Sequence, residues 1–191
     1  MSANRGQYYT LEEYFAVEQV GNTRYEYWDG DIVCMSGGSE AHGRICGNVY
    51  FALRLQTGGG PCQAFTSDVA VKTPTLPPYR YPDTSIACGT AVFENINGVD
   101  VLVNPVLIVE VLSPQTEKAD RAAKFEAYKA IDTFREYLLI AQHEPHLTHF
   151  VKQETGEWRR FDTADLTATV ELEAVGCILV VADVYATVVF P

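Results

Sequence analysis

The sequence contains no apolar run long enough to cross a membrane. Its longest apolar stretches are residues 101–112, which Asn104, Pro105 and Glu110 interrupt, and the short stretch 176–182. A membrane-spanning helix needs about 20 apolar residues. The polar start of the chain also lacks the apolar segment of a secretory signal peptide. These absences exclude a membrane protein and predict a cytoplasmic location.

Basic residues are scarce. The chain has 14 Lys and Arg against 25 Asp and Glu, which gives a formal net charge of −11. Because a wide grip on nucleic acid depends on Lys and Arg against phosphates, this balance argues against tight sequence-independent binding. The sequence still allows a local basic patch, since several basic residues fall within one short stretch: Lys118, Arg121, Lys124, Lys129 and Arg135.

The cysteines form no CxxC pair, and their number is odd. This pattern argues against a disulfide framework or a zinc knuckle and favours a reducing compartment. We interpret all of them as small buried hydrophobic residues. They are Cys34, Cys46, Cys62, Cys88 and Cys177.

Disorder is excluded, because 47% of the 191 residues are apolar and 12% are aromatic. A chain of this length is expected to fold as one domain, 1–191, around a single core over about 9–185. Thr10 and Glu13 have capping-box spacing and predict a helix over 11–20, ended by Gly21 and Asn22. Asp29-Gly30 between two β-prone runs predicts a hairpin.

Further helices are predicted over 39–56, capped by Ser39, and over 116–131. Strands are predicted over 62–72, 79–88, 105–112, 136–141, 147–152, 157–161 and 178–181. Their alternation predicts an α/β or α+β fold, with a mixed central sheet flanked by helices, an N-terminal helix and β-hairpins.

Glu110 interrupts the apolar run 106–112. A continuous apolar run of this length is typical of a central strand that is covered on both faces. A carboxylate there costs several kcal/mol unless it is paired, hydrogen-bonded or bound to a metal. Glu110 is therefore a candidate metal ligand; a structural ion pair, or an acid at the strand end that reaches water, is the alternative.

Two other residues could join Glu110 in one site. Asp83 follows Pro82 at the start of a strand, where it could instead serve a turn. Lys124 lies on the apolar face of its helix with Asp120 and Tyr128. The ammonium group of Lys124 could instead reach solvent while the aliphatic part of its side chain packs against the protein, or it could simply pair with Asp120. Two carboxylates can hold Mg²⁺, and a nearby lysine can assist an attacking water, as metal-dependent phosphodiester hydrolysis requires.

These residues also carry a resemblance to a known family. The segments Pro82-Asp83, 110–113 and 136–137, with Asp120, Lys124 and Tyr128, resemble the bacterial Uma-type "putative restriction endonucleases", a family expanded in cyanobacteria and long classed as a domain of unknown function. The segments 10–14 and 26–30 and Ala41-His42 also match, so the resemblance covers about 9–185. This family belongs to the PD-(D/E)xK, restriction-endonuclease-like superfamily.

The resemblance implies specific roles. Asp83 and Glu110 would bind Mg²⁺ or Mn²⁺, Lys124 would be the catalytic lysine, and Glu26 would be an additional acid of the site. Glu26 could instead be a surface acid paired with Arg24. The superfamily places its lysine two residues after the acid, where this chain has Leu112, so the resemblance implies a lysine that has migrated to the next helix; Lys118 and Lys72 are the other candidates.

The expected function is therefore metal-dependent cleavage of nucleic acid, with DNA as the favoured substrate and a homodimer as the favoured assembly. We expect Lys124→Ala to abolish Mg²⁺-dependent cleavage and leave the fold intact. One alternative is a catalytically inactive nuclease fold that serves as a binding or assembly module, which the acidic charge and Leu112 favour. Another is a metal hydrolase for small phosphate esters. His42, on the second predicted helix, is either a hydrogen-bonded, half-buried histidine or a phosphate contact.

Overall fold

A mixed sheet of six strands lies at the centre of the fold, with helices against both of its faces. The computed structural model describes residues 8–20, 24–28, 30–35, 37–114 and 116–190. The expected helix end at Gly21 and Asn22 and the turn residue Asp29 lie outside these ranges. None of the helices in the described ranges is long and apolar enough to span a membrane.

The elements alternate along the chain as the sequence predicts. The helices are α1 (Leu11–Val20), α2 (Glu40–Thr57), α3 (Glu117–Ala119), α4 (Phe125–Lys129) and α5 (Val181–Val184), with a π-helical turn at Asp120–Lys124 and a 3-10 turn at Glu173–Val175. The strands are β1 (Tyr25–Trp28), β2 (Asp31–Cys34), β3 (Cys62–Thr66), β4 (Ala70–Lys72), β5 (Tyr79–Arg80), β6 (Thr84–Cys88), β7 (Phe93–Ile96), β8 (Val99–Leu102), β9 (Leu107–Leu112), β10 (Glu136–Ala141), β11 (Leu147–Lys152), β12 (Trp158–Thr163), β13 (Thr169–Leu172) and β14 (Cys177–Val180).

The central sheet has the strand order β12-β11-β10-β9-β6-β3. The β9–β10 pair is parallel and its other pairs are antiparallel. Every residue of β9 is buried, as expected for a strand that other layers cover on both faces. The predicted α+β fold with a mixed central sheet flanked by helices is confirmed.

Alternation along β9 divides the core into two layers. Leu107, Val109 and Val111 pack with Ile45 and Val49 of α2 on one face. On the other face, Ile108 and Leu112 pack with Phe125 and Tyr128 from the helical segment after β9. Glu110 lies between Ile108 and Leu112 in this alternation, so its side chain is directed toward the same helical segment.

Helix starts follow the predicted caps. Thr10 N donates to Glu13 Oε2 at 2.8 Å, and Glu13 N donates to Thr10 Oγ1 at 3.2 Å, which is a reciprocal capping box. His42 N donates to Ser39 Oγ at 3.1 Å at the start of α2. Short-range sequence patterns therefore locate both helix starts correctly.

The single helix predicted over 116–131 is replaced by α3, the π-helical turn and α4. A π turn differs from an α turn only in closing i→i+5 instead of i→i+4 hydrogen bonds, and five residues of side-chain pattern do not distinguish the two. The predicted buried face is present, because Asp120, Lys124, Ala127, Tyr128 and Ile131 are all buried.

Two predicted strands were each wrong in extent. Segment 62–72 divides into β3 and β4, and segment 79–88 divides into β5 and β6, with the two halves in different sheets. Val69 N donates to the Thr66 carbonyl in a turn between β3 and β4. Pro82 stands between β5 and β6, where its missing N–H cannot join a ladder.

The β7–β8 hairpin was not predicted, although the sequence marks it. Asn97 and Gly98 have φ angles of 50° and 87°. Positive φ at both central residues is what a type I′ turn requires, and Asn-Gly is its strongest sequence signal.

The interpretation of all cysteines as reduced and buried is wrong. Cys62 and Cys88 form a disulfide, because the antiparallel pairing of β3 with β6 places them directly opposite each other. Their separation of 26 residues gives no local hint of this pairing. Cys34 is exposed, Cys46 is half-buried, and Cys177 is buried as expected.

Candidate active site

Asp83 and Glu110 meet at the end of the central sheet. Thr84 of β6 pairs with Val109 of the antiparallel strand β9, so the next position along each strand sets Asp83 opposite Glu110. The backbone N–H of Val111 donates to Asp83 Oδ2 at 2.7 Å. The Asp83 carboxylate is thereby held against β9, beside the acid predicted to be its partner.

Lys124 is buried among three carboxylates. Its Nζ lies 3.2 Å from Glu26 Oε1, 3.2 Å from Glu110 Oε1 and 3.0 Å from Asp120 Oδ1. Tyr128 donates its hydroxyl to the same Glu110 oxygen at 3.0 Å. Lys124 is only 1% exposed, so the alternative of a snorkelling lysine is wrong.

The neighbouring carboxylates keep Lys124 positively charged. Burial alone would lower the pKa of Lys124, but Glu110, Glu26 and Asp120 together raise it well above its usual value. Burial raises the pKa of Glu110 well above its usual value and also raises that of Asp120, although Lys124 opposes both shifts. Lys124 is therefore a permanent ammonium group that can donate hydrogen bonds and offset negative charge but cannot accept a proton from water.

Glu26 reaches the cluster from β1, in the N-terminal hairpin. Its Oε1 accepts from Tyr81 N at 3.4 Å, whereas Oε2 is buried without a hydrogen-bond partner among the described residues. Arg80 lies nearby, with its guanidinium 3.9 Å from the centre of the Trp28 ring and a donated hydrogen bond of 2.7 Å to the Tyr27 carbonyl. Burial lowers the pKa of Arg80, and Glu26 opposes this shift. No local sequence pattern marks Arg80.

The donor atoms suit a hard divalent cation. Asp83, Glu110 and Glu26 carry carboxylate oxygens, the ligands that Mg²⁺ and Mn²⁺ prefer, although the three ligand residues that converge within 4.8 Å in the described part of the chain are His42, Cys46 and Asp83. The buried Glu26 Oε2 without a partner is an acceptor that a cation or a donor would satisfy, and leaving such an atom unpaired costs about 1–3 kcal/mol. A bound cation would also favour the ionised form of Glu110, whose pKa burial raises.

The cluster opens into a cleft of about 530 Å³. The cleft brings the ends of β6 and β9 together with the loop before α2 and the segment after β9. Its lining includes Asp83, Glu110 and Lys124, with His42, Cys46 and His143 beside them.

His42 and Cys46 face Asp83 from α2. His42 Nε2 lies 3.5 Å from Asp83 Oδ2, and His42 Nδ1 lies 3.4 Å from Cys46 Sγ. Burial would lower the pKa of His42, but the hydrogen bond and charge of Asp83 raise it above its usual value. A Cβ on Gly38 would lie 3.0 Å from His42 Nδ1, so glycine makes room for the ring. The half-buried, hydrogen-bonded histidine is what the structure contains; its i, i+4 spacing from Cys46 was the sequence signal for this pair.

The other candidate lysines lie outside the cluster. Lys72 pairs with Glu94 at 2.5 Å in the four-stranded sheet. Lys118 is exposed on α3. Leu112, at the superfamily's lysine position, is buried in the core layer on the Glu110 side. Of the three lysines considered from the sequence, Lys124 is the one that contacts the acids.

The surface alternative for Glu26 is wrong. Glu26 is 1% exposed, and Arg24 pairs instead with Asp68 at 2.8 Å. Arg24 lies just before β1 and pairs with Asp68, while Glu26 pairs with Lys124, so a short sequence separation does not produce an ion pair here.

Much of the basic stretch 118–135 is already paired. Arg121 contacts Glu117 at 2.8 Å, and Lys129 contacts Glu126 at 2.6 Å, while Lys124 is buried in the cluster. The positive charge that this stretch presents to solvent is therefore smaller than its sequence predicts.

Sequence comparisons match most of this chain to known proteins. A family model described as Uma2, "Putative restriction endonuclease", matches residues 11–182. An uncharacterized protein of Synechocystis sp., slr1290, is 29% identical over 94% of this chain and 92% of its own length, and a second one, sll1609, is 31% identical over 78% and 84%.

A solved structure shares the fold. A crystal structure described as a putative nuclease belonging to DUF820, from Anabaena variabilis, aligns with a TM-score of 0.66 at 17% identity, and the alignment covers 86% of this chain and 91% of that one. At this identity the likeness establishes the fold alone. Because the family model spans nearly the whole chain, the protein belongs to the Uma2 family of "putative restriction endonucleases".

Proposed function

We propose that this protein hydrolyses phosphodiester bonds in nucleic acid, with DNA as substrate and Mg²⁺ or Mn²⁺ as cofactor. The observation that carries the proposal is the Lys124 ammonium buried among Glu26, Glu110 and Asp120 at the inner end of the open cleft. Asp83 stands opposite Glu110 at the same sheet end. Membership of the nuclease family supports the same reading.

The residues of the site would have separate roles in this reaction. Asp83 and Glu110 would hold the cation, and Glu26 would contribute a third carboxylate. When bound, such a cation polarises a phosphoryl oxygen and lowers the pKa of a water ligand. Lys124, as a fixed ammonium group, would orient Glu110 and stabilise negative charge that develops on the phosphate. Because Lys124 stays protonated, it is not the general base of this proposal.

Metal binding is the first test. Mn²⁺ should raise the melting temperature of the wild type, since a ligand that binds only the folded state stabilises it by mass action. This rise should be lost in Asp83→Asn and in Glu110→Gln. Glu117→Gln is the matched control, because Glu117 is an exposed acid that pairs with Arg121. An equal Mn²⁺ response in all four proteins would remove the proposed metal site.

Cleavage is the second test. Purified protein is incubated with Mn²⁺ and, in parallel, with supercoiled plasmid, RNA and a chromogenic phosphodiester. We expect nicking or linearisation of the plasmid by the wild type and by Glu117→Gln, and none by Asp83→Asn or Glu110→Gln. Turnover of the chromogenic ester alone would favour the small-phosphoester hydrolase over the nuclease.

A catalytically inactive binding module is the second candidate. Two observations favour it: Lys124 has three carboxylate partners already, and Leu112 occupies the superfamily's lysine position. Binding of DNA in the presence of Mn²⁺, with no product from any substrate, would support the module against the enzyme.

Assembly and location remain proposals from the sequence. A homodimer would present two copies of the sparse basic surface to one duplex, which a chain of net charge −11 needs more than a basic protein does. Light scattering on the purified protein decides this: a monomeric mass that persists in the presence of DNA would overturn the dimer. The cytoplasm is the proposed location, and the Cys62–Cys88 disulfide, which a reducing compartment disfavours, is the observation against it.

A further inference from the structure

We infer that His42, Cys46 and Asp83 form a second metal site, selective for Zn²⁺ or a similar thiophilic cation, whose occupation withdraws Asp83 from Glu110. The binding part of this inference stands without the proposed nuclease function. Its inhibitory consequence rests on that function.

The three side chains come from two elements that converge at the cleft. His42 and Cys46 are four residues apart on α2, which places them on the same face of the helix. Asp83 is held opposite them by the N–H of Val111, at 2.7 Å. One ligand atom from each residue can be chosen so that all three lie within 4.8 Å of one another.

This spacing is close to that of a four-coordinate zinc ion. Zn²⁺ binds nitrogen and oxygen at about 2.0–2.2 Å and sulfur at about 2.3 Å, which sets neighbouring ligand atoms roughly 3.3–3.8 Å apart. The imidazole already lies 3.5 Å from Asp83 and 3.4 Å from Cys46, through different ring nitrogens. Ligation through one nitrogen needs rotation of the ring, and Gly38 has no side chain to obstruct it.

The donor types decide which cation fits. A thiolate and an imidazole suit Zn²⁺ and Co²⁺, whereas Mg²⁺ and Mn²⁺ favour carboxylates and water. Three protein ligands leave the fourth position for water or a substrate group, which is the arrangement of open zinc sites. All three residues line the cleft, so a cation can reach them from solvent.

Asp83 links this site to the proposed hydrolytic site. Asp83 occupies the register position opposite Glu110, and its carboxylate lies 3.5 Å from His42 Nε2. A cation held by His42 and Cys46 would therefore compete for Asp83. Zn²⁺ should inhibit the Mn²⁺-dependent reaction, and Cys46, which has no part in that reaction, should determine its sensitivity.

Co²⁺ is the direct probe, because a cysteine ligand produces a thiolate-to-Co²⁺ charge-transfer absorption. The full chain, in a non-thiol reductant, is titrated with Co²⁺ and then with Zn²⁺. We expect one Co²⁺ per chain with this absorption, displaced by Zn²⁺. Cys46→Ser and Cys46→Ala should abolish the absorption and weaken Zn²⁺ binding by more than about 10-fold, since even residues outside the ligand shell are worth 10–100-fold.

Cys34→Ser is the matched control, because Cys34 is an exposed cysteine of the same cleft. It should bind Co²⁺ as the wild type does. Melting curves of the metal-free variants verify that they fold. No charge-transfer absorption in the wild type, its persistence in both Cys46 variants, or its loss in Cys34→Ser would overturn the site.

Inhibition is measured separately on plasmid cleavage with Mn²⁺. The Zn²⁺ concentration for half inhibition should rise at least 10-fold in Cys46→Ser, with basal cleavage unchanged. Equal inhibition of both proteins would overturn the competition for Asp83. If the wild type cleaves nothing with any cation, the proposed function fails, while the Co²⁺ spectrum still decides whether the zinc site exists.

Discussion

Replacing Lys124 with methionine tests the buried cluster most directly. The substitution keeps much of the side-chain length and removes the ammonium group that Glu26, Glu110 and Asp120 share at 3.0–3.2 Å. Removing one partner of a buried ion pair costs about 3–5 kcal/mol, because the charges that remain are uncompensated. For a chain of this size, that corresponds to a fall in melting temperature of roughly 6–20 °C.

The pH dependence of this loss has a definite sign. Burial already raises the pKa values of Glu110 and Asp120, and without Lys124 both should rise further. A carboxyl group with a raised pKa in the folded state stabilises the fold below its unfolded value, near pH 4, and that contribution disappears as the pH rises through the folded value. The deficit of Lys124→Met should therefore be largest at neutral pH and shrink toward pH 4.

The assay is thermal melting from pH 4 to pH 8, with and without Mn²⁺, on Lys124→Met, the wild type and Lys118→Met. Lys118 is an exposed lysine on α3, and its substitution should change the free energy of unfolding by less than about 0.5 kcal/mol. Mn²⁺ should restore part of the stability of Lys124→Met. A melting temperature for Lys124→Met that equals or exceeds the wild type at pH 7 would refute the reasoning, as would a deficit that grows toward acid. The expectation from sequence alone, that Lys124 can be removed without harm to the fold, fails if the deficit appears.

Four further substitutions have expected outcomes in the same melting assay. Gly47→Ala should stabilise the protein by about 1 kcal/mol, since Gly47 is inside α2 and a Cβ there would meet open space. Gly98→Ala should destabilise the protein by about 1–2 kcal/mol, because Gly98 has a φ of 87°. A change in stability of the same sign in both variants would contradict this reasoning. Cys88→Ser should lower the free energy of unfolding by about 2–4 kcal/mol under oxidising conditions, because it removes the crosslink to Cys62. If the wild type stays equally more stable than this variant in a reductant, the prediction is contradicted. Tyr128→Phe should cost about 1.5–3 kcal/mol by removing the hydrogen bond to Glu110, and no change would mean that this bond contributes nothing.

The sequence identified the parts of the site that depend on short-range patterns. The apolar run around Glu110 predicted a central strand, because a strand that is covered on both faces has apolar side chains at consecutive positions. The helical period placed Asp120, Lys124 and Tyr128 on one buried face, and the capping residues of α1 and α2 located their starts. Each of these inferences uses neighbours within about eight residues, and each agrees with the structure.

Strand boundaries were less predictable. Segments 62–72 and 79–88 each supply strands to two sheets, because a turn at Thr66–Val69 and the proline at 82 redirect the chain between them. The hairpin at Asn97-Gly98 is the opposite case, because the Asn-Gly pair marks its turn in the sequence. The π-helical turn at Asp120–Lys124 leaves no readable trace in the side-chain pattern.

What the sequence determined by itself is the class of fold, the position of Glu110 in an apolar strand and the position of Lys124 on the apolar face of the helical segment that follows. Only the tertiary structure decided that Glu26, far away in the N-terminal hairpin, shares the Lys124 ammonium group, that Asp83 lies between Glu110 and the His42–Cys46 pair, and that Cys62 bonds to Cys88. Periodicity specifies which face of an element is buried, but it contains no information on which distant element covers that face. That choice is made when the sheets and helices pack, and the chemistry of the cleft depends on it.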